Sequence, residues 1–177
     1  MNLLALDLAT VTGWALRENG RLDWGEERFD PRKGESHGMR FLRFNRWLDD
    51  VTVRRRGPGG TTVHELRIGA MAVERPIPFH KGTAASELLF GLYAMVQEFS
   101  ERMKVELMVV TPAELKKLAT GNGIASKDLV NARAVQRLDE MRVPHGVVGF
   151  NASDALWCLW WAEQQIVDEL RGKEAAR

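Results

Sequence analysis

Short apolar runs that stop at a charge or a turn signal alternate along this chain with longer segments whose apolar residues recur every three or four positions. Leu3 to Leu8 is the first run, carries Asp7 near its end, and is followed by Thr10-Val11-Thr12-Gly13. That pattern predicts a buried strand and then a tight turn. Trp14-Ala15-Leu16 resumes an extended pattern, and Glu18-Asn19-Gly20 supplies the Asn-Gly pair of a two-residue hairpin. Arg21 to Phe29 returns as a third strand, so three antiparallel strands are expected at the start of the chain. Met39 to Val51 places Phe41, Phe44, Trp47, Leu48 and Val51 at the spacing of an amphipathic helix. Val51 to Leu66 fits either a hairpin or a loop.

Ala70 to Glu74 is another short apolar strand that ends in a carboxylate, closed by Pro76 and Pro78. Ala84 to Lys104 predicts a long helix with Leu88, Leu89, Leu92, Met95, Val96 and Phe99 facing inward. Leu107 to Val110 reads as a buried strand, and Thr111-Pro112 opens a helix with a capping residue and a proline in its first turn. Thr120-Gly121-Asn122-Gly123 ends it. Ser126-Lys127-Asp128 starts the next helix, which runs to about Arg142. After a loop from Pro144 to Gly149, Asn151 or Ser153 opens a last helix containing Trp157, Trp160 and Trp161. Their spacing among Ala, Leu and Cys marks these tryptophans as core or subunit contact, with no binding role.

Composition narrows the class. No repeat, low-complexity tract or linker divides the 177 residues, so one domain over 1–177 is expected. One cysteine, Cys158, excludes an internal disulfide and fits a reducing compartment, and the four scattered histidines offer no zinc site. The start of the chain lacks the basic region of a signal peptide, and the apolar stretch from Ala155 to Ala162 is too short to span a bilayer. The expectation is a cytoplasmic protein with no membrane contact. A net charge of +1 does not announce a nucleic-acid binder, but residues 31 to 75 hold ten Lys/Arg against five Asp/Glu. Arg54, Arg55 and Arg56 before Gly57-Pro58-Gly59-Gly60 read as a basic loop, either merely solvated or touching phosphates.

Three carboxylates stand out by position. Asp7 and Glu74 each close an apolar strand, where a charge is costly unless paired or metal-bound. Asp154 lies in what the sequence makes the first turn of the hydrophobic last helix. Singly, each has an ordinary explanation as a turn former, a cap or a dipole partner. Together, two strand ends and a helix start converge readily, and clustered carboxylates repel unless a cation neutralises them. Oxygen donors alone select hard ions, Mg²⁺ or Mn²⁺. A pair of them clamps the attacking and leaving oxygens of a phosphodiester.

Four segments then carry a resemblance. Leu6-Asp7-Leu8-Ala9-Thr10-Val11-Thr12-Gly13-Trp14 resembles the first motif of the RuvC-type Holliday-junction resolvases, and Ala72-Val73-Glu74-Arg75 resembles their glutamate strand. Thr111 to Lys117, followed by Gly121-Asn122-Gly123-Ile124-Ala125-Ser126-Lys127, is similar to their basic segment. Ala152-Ser153-Asp154-Ala155-Leu156 resembles their closing motif. The resemblance spans residues 6 to 156. It implies an α/β protein of RNase H-like fold, a mixed five-stranded sheet with three antiparallel N-terminal strands and helices on both faces. It further implies a homodimeric endodeoxyribonuclease that nicks four-way DNA junctions symmetrically, with one or two Mg²⁺ or Mn²⁺ ions per subunit. On this resemblance Asp7, Glu74 and Asp154 are metal ligands, and Lys116 and Lys127 flank the scissile phosphate. Lys117, Arg75 and Lys81 join them along the DNA.

Two places depart from the family pattern. Asn151 stands where members commonly carry a carboxylate or histidine, and it either ligates a second ion through its carbonyl oxygen or caps the helix. Pro76-Ile77-Pro78-Phe79-His80-Lys81 replaces a stretch bearing a DNA-stacking aromatic, leaving Phe79 as either a stacking residue or a core anchor. Three other readings remain. A sugar-kinase or actin-like ATPase needs a second domain and a glycine-rich adenosine motif that 177 residues do not supply. A ribosomal-RNA maturase of the same fold lacks the lysine and Gly-x-Gly segment. A non-catalytic junction binder fits poorly with intact Asp7, Glu74 and Asp154, although the neutral Asn151 leaves it open.

Overall fold

The computed structural model describes residues 1–56, 63–77 and 83–175, with the side chains of 54–56, 63–64 and 83 outside that description. Among the described residues, seven strands and five helices follow in the order β1 (Leu3–Asp7), β2 (Val11–Glu18), β3 (Arg21–Arg28), α1 (Met39–Thr52), β4 (Val53–Arg56), β5 (Val63–Leu66), β6 (Ala70–Glu74), α2 (Thr83–Met103), β7 (Glu106–Val110), α3 (Pro112–Thr120), α4 (Lys127–Glu140) and α5 (Phe150–Ala175). The main sheet has the order β3-β2-β1-β6-β7. β1 to β3 are antiparallel neighbours, whereas β1, β6 and β7 run parallel. This is the mixed five-stranded sheet expected.

Alternation along the three central strands, β2, β1 and β6, decides what covers each face. Leu4, Leu6, Leu16, Met71 and Val73 point to one side and join Phe44 and Leu48 of α1 with Leu88, Leu92, Val96 and Phe99 of α2. Leu3, Ala5, Ala15, Ala70 and Ala72 point to the other and meet Leu115, Val130, Ala134, Leu138 and the buried face of α5. Helices therefore cover both faces, but the α5 side of the sheet is built mostly from alanine. Small side chains there let a helix lie close to the strands, where leucines would hold it away. Gly13 marks the closest approach: a Cβ at this position would overlap the Asn151 carbonyl. Gly149 is tight in the same way, since a Cβ there would run into the Glu26 carboxylate.

The β2–β3 turn is the two-residue Asn19-Gly20 hairpin that was expected, with φ of 51° and 83° and Glu18 paired to Arg21. Thr111 caps α3 in a full capping box with Glu114, and Ser126 caps α4. Trp157 and Trp160 are buried within the chain, the Trp157 indole donating to the Val130 carbonyl at 3.1 Å, with Arg137 over both rings. They belong to this chain's own core.

Several boundaries differ from the sequence expectations. Val11-Thr12-Gly13 is already strand, so only Leu8 to Thr10 turns; the buried Thr12 hydroxyl donates to the Ala9 carbonyl and tightens that link. The ambiguous Val51–Leu66 stretch resolves into the end of α1 and an antiparallel pair, β4 and β5, outside the main sheet. Arg54 to Arg56 are thus strand, while residues 57–60 of the expected loop lie outside the described residues. The last helix begins at Phe150, ahead of both expected starts. No helix among the described residues is long and apolar enough to cross a membrane.

Candidate active site

Asp7 and Glu74 become neighbours through strand register. Leu6 pairs with Val73 across the parallel β1–β6 ladder, so the next residue of each strand stands at the same level. Both follow an even count from Ala5 and Ala72 and so project to the α5 side, at the carboxyl ends of parallel strands where α/β sheets bring their ligands. Asp154 comes to them on α5. Because that helix starts at Phe150, Asp154 lies beyond its first turn and Asn151 lies within it, so neither caps it.

The cap comes from a residue the sequence did not single out. Glu26 of β3 accepts hydrogen bonds from the backbone N–H of Asn151 at 3.0 Å and of Ala152 at 3.3 Å. A carboxylate on two free N–H groups at a helix start is favourable both as a hydrogen bond and against the helix dipole. Nothing local signals this role, since the partners are more than a hundred positions apart in sequence. It pins the start of α5 to β3, and with it the angle at which Asp154 enters.

A cavity of about 270 Å³ has Asp7, Glu74, Asp154, Lys116, Lys127 and Asn151 in its wall. Arg75, Pro112 and Leu115 also line it. The structure therefore brings together all three expected carboxylates, both expected lysines, Asn151 and Arg75. Lys117 is exposed on α3 and is absent from the wall. Phe79 and Lys81 lie outside the described residues, as do the side chains of Arg54, Arg55 and Arg56.

The electrostatics are those of an anionic cluster short of positive charge. Burial holds the Asp7 carboxyl well above the usual carboxylate range, and the Glu74, Asp154 and Glu26 charges add to it while Lys127 opposes. Burial, then the Asp154 charge, pushes Glu74 up to about 7 against the pull of Lys127 and Lys116. Asp154 is also raised by burial, with Lys127 and Lys116 holding it down. Lys127 Nζ sits 3.4 Å from an Asp154 carboxylate oxygen although its own side chain is 63% exposed. Cys158, one turn beyond Asp154, is fully buried and kept a thiol by burial and the Glu74 and Asp7 charges.

The donor set fits a hard divalent ion in chemistry: carboxylate oxygens in surplus, with raised proton affinity that a cation would relieve. Among the described residues, no three His, Cys, Asp or Glu side chains stand close enough together to hold an ion as they are. Asp154, turned to Lys127, would have to swing toward Asp7 and Glu74.

No protein-family model matches the chain, and no curated protein matches it in sequence. Solved structures do match in shape. The chain resembles RuvC of T. thermophilus solved in complex with a Holliday junction substrate, at TM-score 0.65, 17% identity and 90% of each chain. A second Thermus thermophilus RuvC structure matches at TM-score 0.63 and 18% identity, over 90% of this chain and 91% of that one. The yeast mitochondrial Holliday junction resolvase Ydc2 matches at TM-score 0.54 and 11% identity, over 97% of this chain and 83% of that one. At such identities the likeness is one of fold. In its fold the chain is RuvC-like, an RNase H-type mixed sheet with helices on both faces.

Proposed function

We propose that this protein is a metal-dependent endodeoxyribonuclease that cuts four-way DNA junctions. The observation that carries the reading is the convergence of Asp7, Glu74 and Asp154, from two strand ends and a distant helix, on one cavity whose wall also bears Lys116 and Lys127. Asp7, Glu74 and Asp154, with Asp154 swung away from Lys127, would hold one or two Mg²⁺ or Mn²⁺ ions, and Asn151 offers a neutral oxygen at the same rim. A bound ion of this kind activates water and steadies the leaving oxygen of a phosphodiester.

The protein's own groups supply the rest. Lys127, exposed at the head of α4, reaches a phosphate entering the cavity, and Lys116 faces the same space from α3. Their charges favour the pentavalent phosphorus, which carries more negative charge than the diester it forms from. Pro112, Leu115, Leu89 and Val130 form the apolar walls, which limit the water around that charge. Choice of the junction as substrate is supported by likeness over nine-tenths of the chain to a resolvase solved on its junction. A two-fold junction with two strands to cut suits a homodimer.

Labelled four-way junction, fork, duplex and RNA–DNA hybrid, each incubated with and without Mg²⁺, test the proposal. Paired nicks confined to the junction and dependent on the ion are expected. Asp154→Asn should bind the junction as native protein does and lose nearly all nicking. Native protein that leaves every substrate intact, or an Asp154→Asn variant that nicks at the native single-turnover rate, would end this reading.

A further inference from the structure

Among the described residues, Lys127 is the basic side chain that forms an ion pair with the carboxylate cluster. Its Nζ lies 3.4 Å from Asp154 Oδ2. Lys116 and Arg75 line the same cavity without such a pair to Asp7, Glu74 or Asp154. The Lys127 charge also reaches past its partner, opposing the rise of the Asp7 and Glu74 carboxyls as well as that of Asp154. It therefore serves the cluster as an internal counter-ion. The contact has a geometric consequence. With Asp154 turned to Lys127, no three His, Cys, Asp or Glu side chains among the described residues stand close enough to hold an ion.

The backbone beneath Lys127 is fixed. Ser126 caps α4, its hydroxyl accepting from the Leu129 N–H at 3.3 Å. One turn on, the Asn131 side chain donates to the Val148 carbonyl at 3.0 Å and the Gly149 carbonyl at 3.4 Å, which ties α4 to the chain entering α5. The side chain itself is free to move, being long, flexible and mostly exposed. An ion pair with so exposed a member is weak, so a phosphate entering the cavity can draw the ammonium away at little cost. A divalent ion and the ammonium also compete for Asp154, because two cations at one carboxylate repel each other.

Resting on the function proposed above, we infer that Lys127 couples ion loading to substrate entry. Its ammonium holds Asp154 away from Asp7 and Glu74 until a backbone phosphate of the DNA draws it off, and Asp154 then swings across to complete the ion site. The protein alone binds the divalent ion weakly, and the protein on DNA binds it strongly. Linkage makes the effect reciprocal, so the ion strengthens DNA binding by the same factor. Lys127 thus serves the ion site and the phosphate in turn, and the cutting centre is completed on its substrate.

The test begins without DNA. Mn²⁺ is titrated into full-length native protein, Lys127→Met and Lys116→Met, with the free ion read by electron paramagnetic resonance and folding verified by melting curves. Lys116→Met is the control for charge acting through space, since Lys116 lowers Glu74 and Asp154 without an ion pair. Lys127→Met should bind Mn²⁺ about fivefold more tightly than native protein, and Lys116→Met less than about twofold more tightly. The half-saturating Mn²⁺ concentration for single-turnover nicking of a four-way junction then reads the ion site with DNA in place. For native protein it should lie below the DNA-free dissociation constant, and in Lys127→Met that gap should narrow by about fivefold. A folded Lys127→Met that binds Mn²⁺ no more tightly than native protein, a Lys116→Met that gains as much, or an unchanged gap overturns the coupling. If Lys127→Met does not fold, Lys127→Gln takes its place in the same comparison. If the variant nicks too slowly to titrate, the DNA-free comparison decides alone. Native protein that binds no Mn²⁺ with or without the junction brings down the functional reading itself, an outcome distinct from native binding with no gain in the variant.

Discussion

Replacing Glu74 with glutamine should stabilise the ion-free protein at neutral and alkaline pH. Burial and the Asp154 charge raise the Glu74 carboxyl from 4.5 to about 7. At about 1.4 kcal/mol per tenfold change in proton affinity, its ionised form costs the fold about 3 kcal/mol relative to the unfolded chain. For a carboxyl raised by folding, the native state binds the extra proton. The stability this confers is fully present below about pH 4.5 and is lost as pH rises through about 7. Glutamine keeps the shape and cannot ionise, so the difference between native and Glu74→Gln should swing by about 3 kcal/mol between pH 4 and pH 8, in favour of the variant. Asp7 adds to the swing in the same direction, because its carboxyl loses the repulsion of the Glu74 charge. Urea unfolding in EDTA across that range measures it directly. In thermal melts the swing corresponds to roughly 6 to 12 °C for a chain of this size. Added Mg²⁺ should then stabilise the native protein and leave Glu74→Gln nearly unmoved. A difference that stays flat from pH 4 to pH 8, or that runs in favour of the native protein, would refute the electrostatic account of the cluster.

Three further outcomes are expected. Lys127→Ala should slow single-turnover nicking more than it weakens junction binding, and a loss confined to affinity would demote Lys127 to a backbone contact. Gly13→Ala should cost about 3 kcal/mol, the upper range for overpacking, because its Cβ meets the Asn151 carbonyl and α5 must shift; native-like stability in denaturant would show that α5 does not lie so close. Sedimentation should show a dimer, with the exposed Phe90 of α2 as part of the apolar contact, and a monomer at working concentration with and without DNA would exclude it.

What was legible in the sequence follows from how local each signal is. β6 runs over Ala70–Glu74 as read, because its apolar run is unbroken and Pro76 follows close behind it. The Asn19-Gly20 turn and the Thr111 cap carry their own chemistry within four residues. Asp7 and Glu74 showed themselves as charges closing apolar strands. The start of α5 was misjudged because its cap is not local: Glu26 supplies the oxygen, so neither Asn151 nor Ser153 was needed for it. The basic run at Arg54 to Arg56 pointed to a loop because charge outweighed the extended pattern that pairs it with β5.

The three carboxylates are also spread along almost the entire chain, at positions 7, 74 and 154, and this has a consequence during synthesis. An emerging chain exposes its first strands long before α5 exists, and contacts between such distant positions form late. Until α5 has been made and its start has settled against Gly13 and Glu26, the growing polypeptide carries only two of the three acidic groups and no closed cavity around them. On the function proposed above, the metal-binding centre therefore stays incomplete through much of synthesis, because Asp154 emerges long after Asp7 and Glu74.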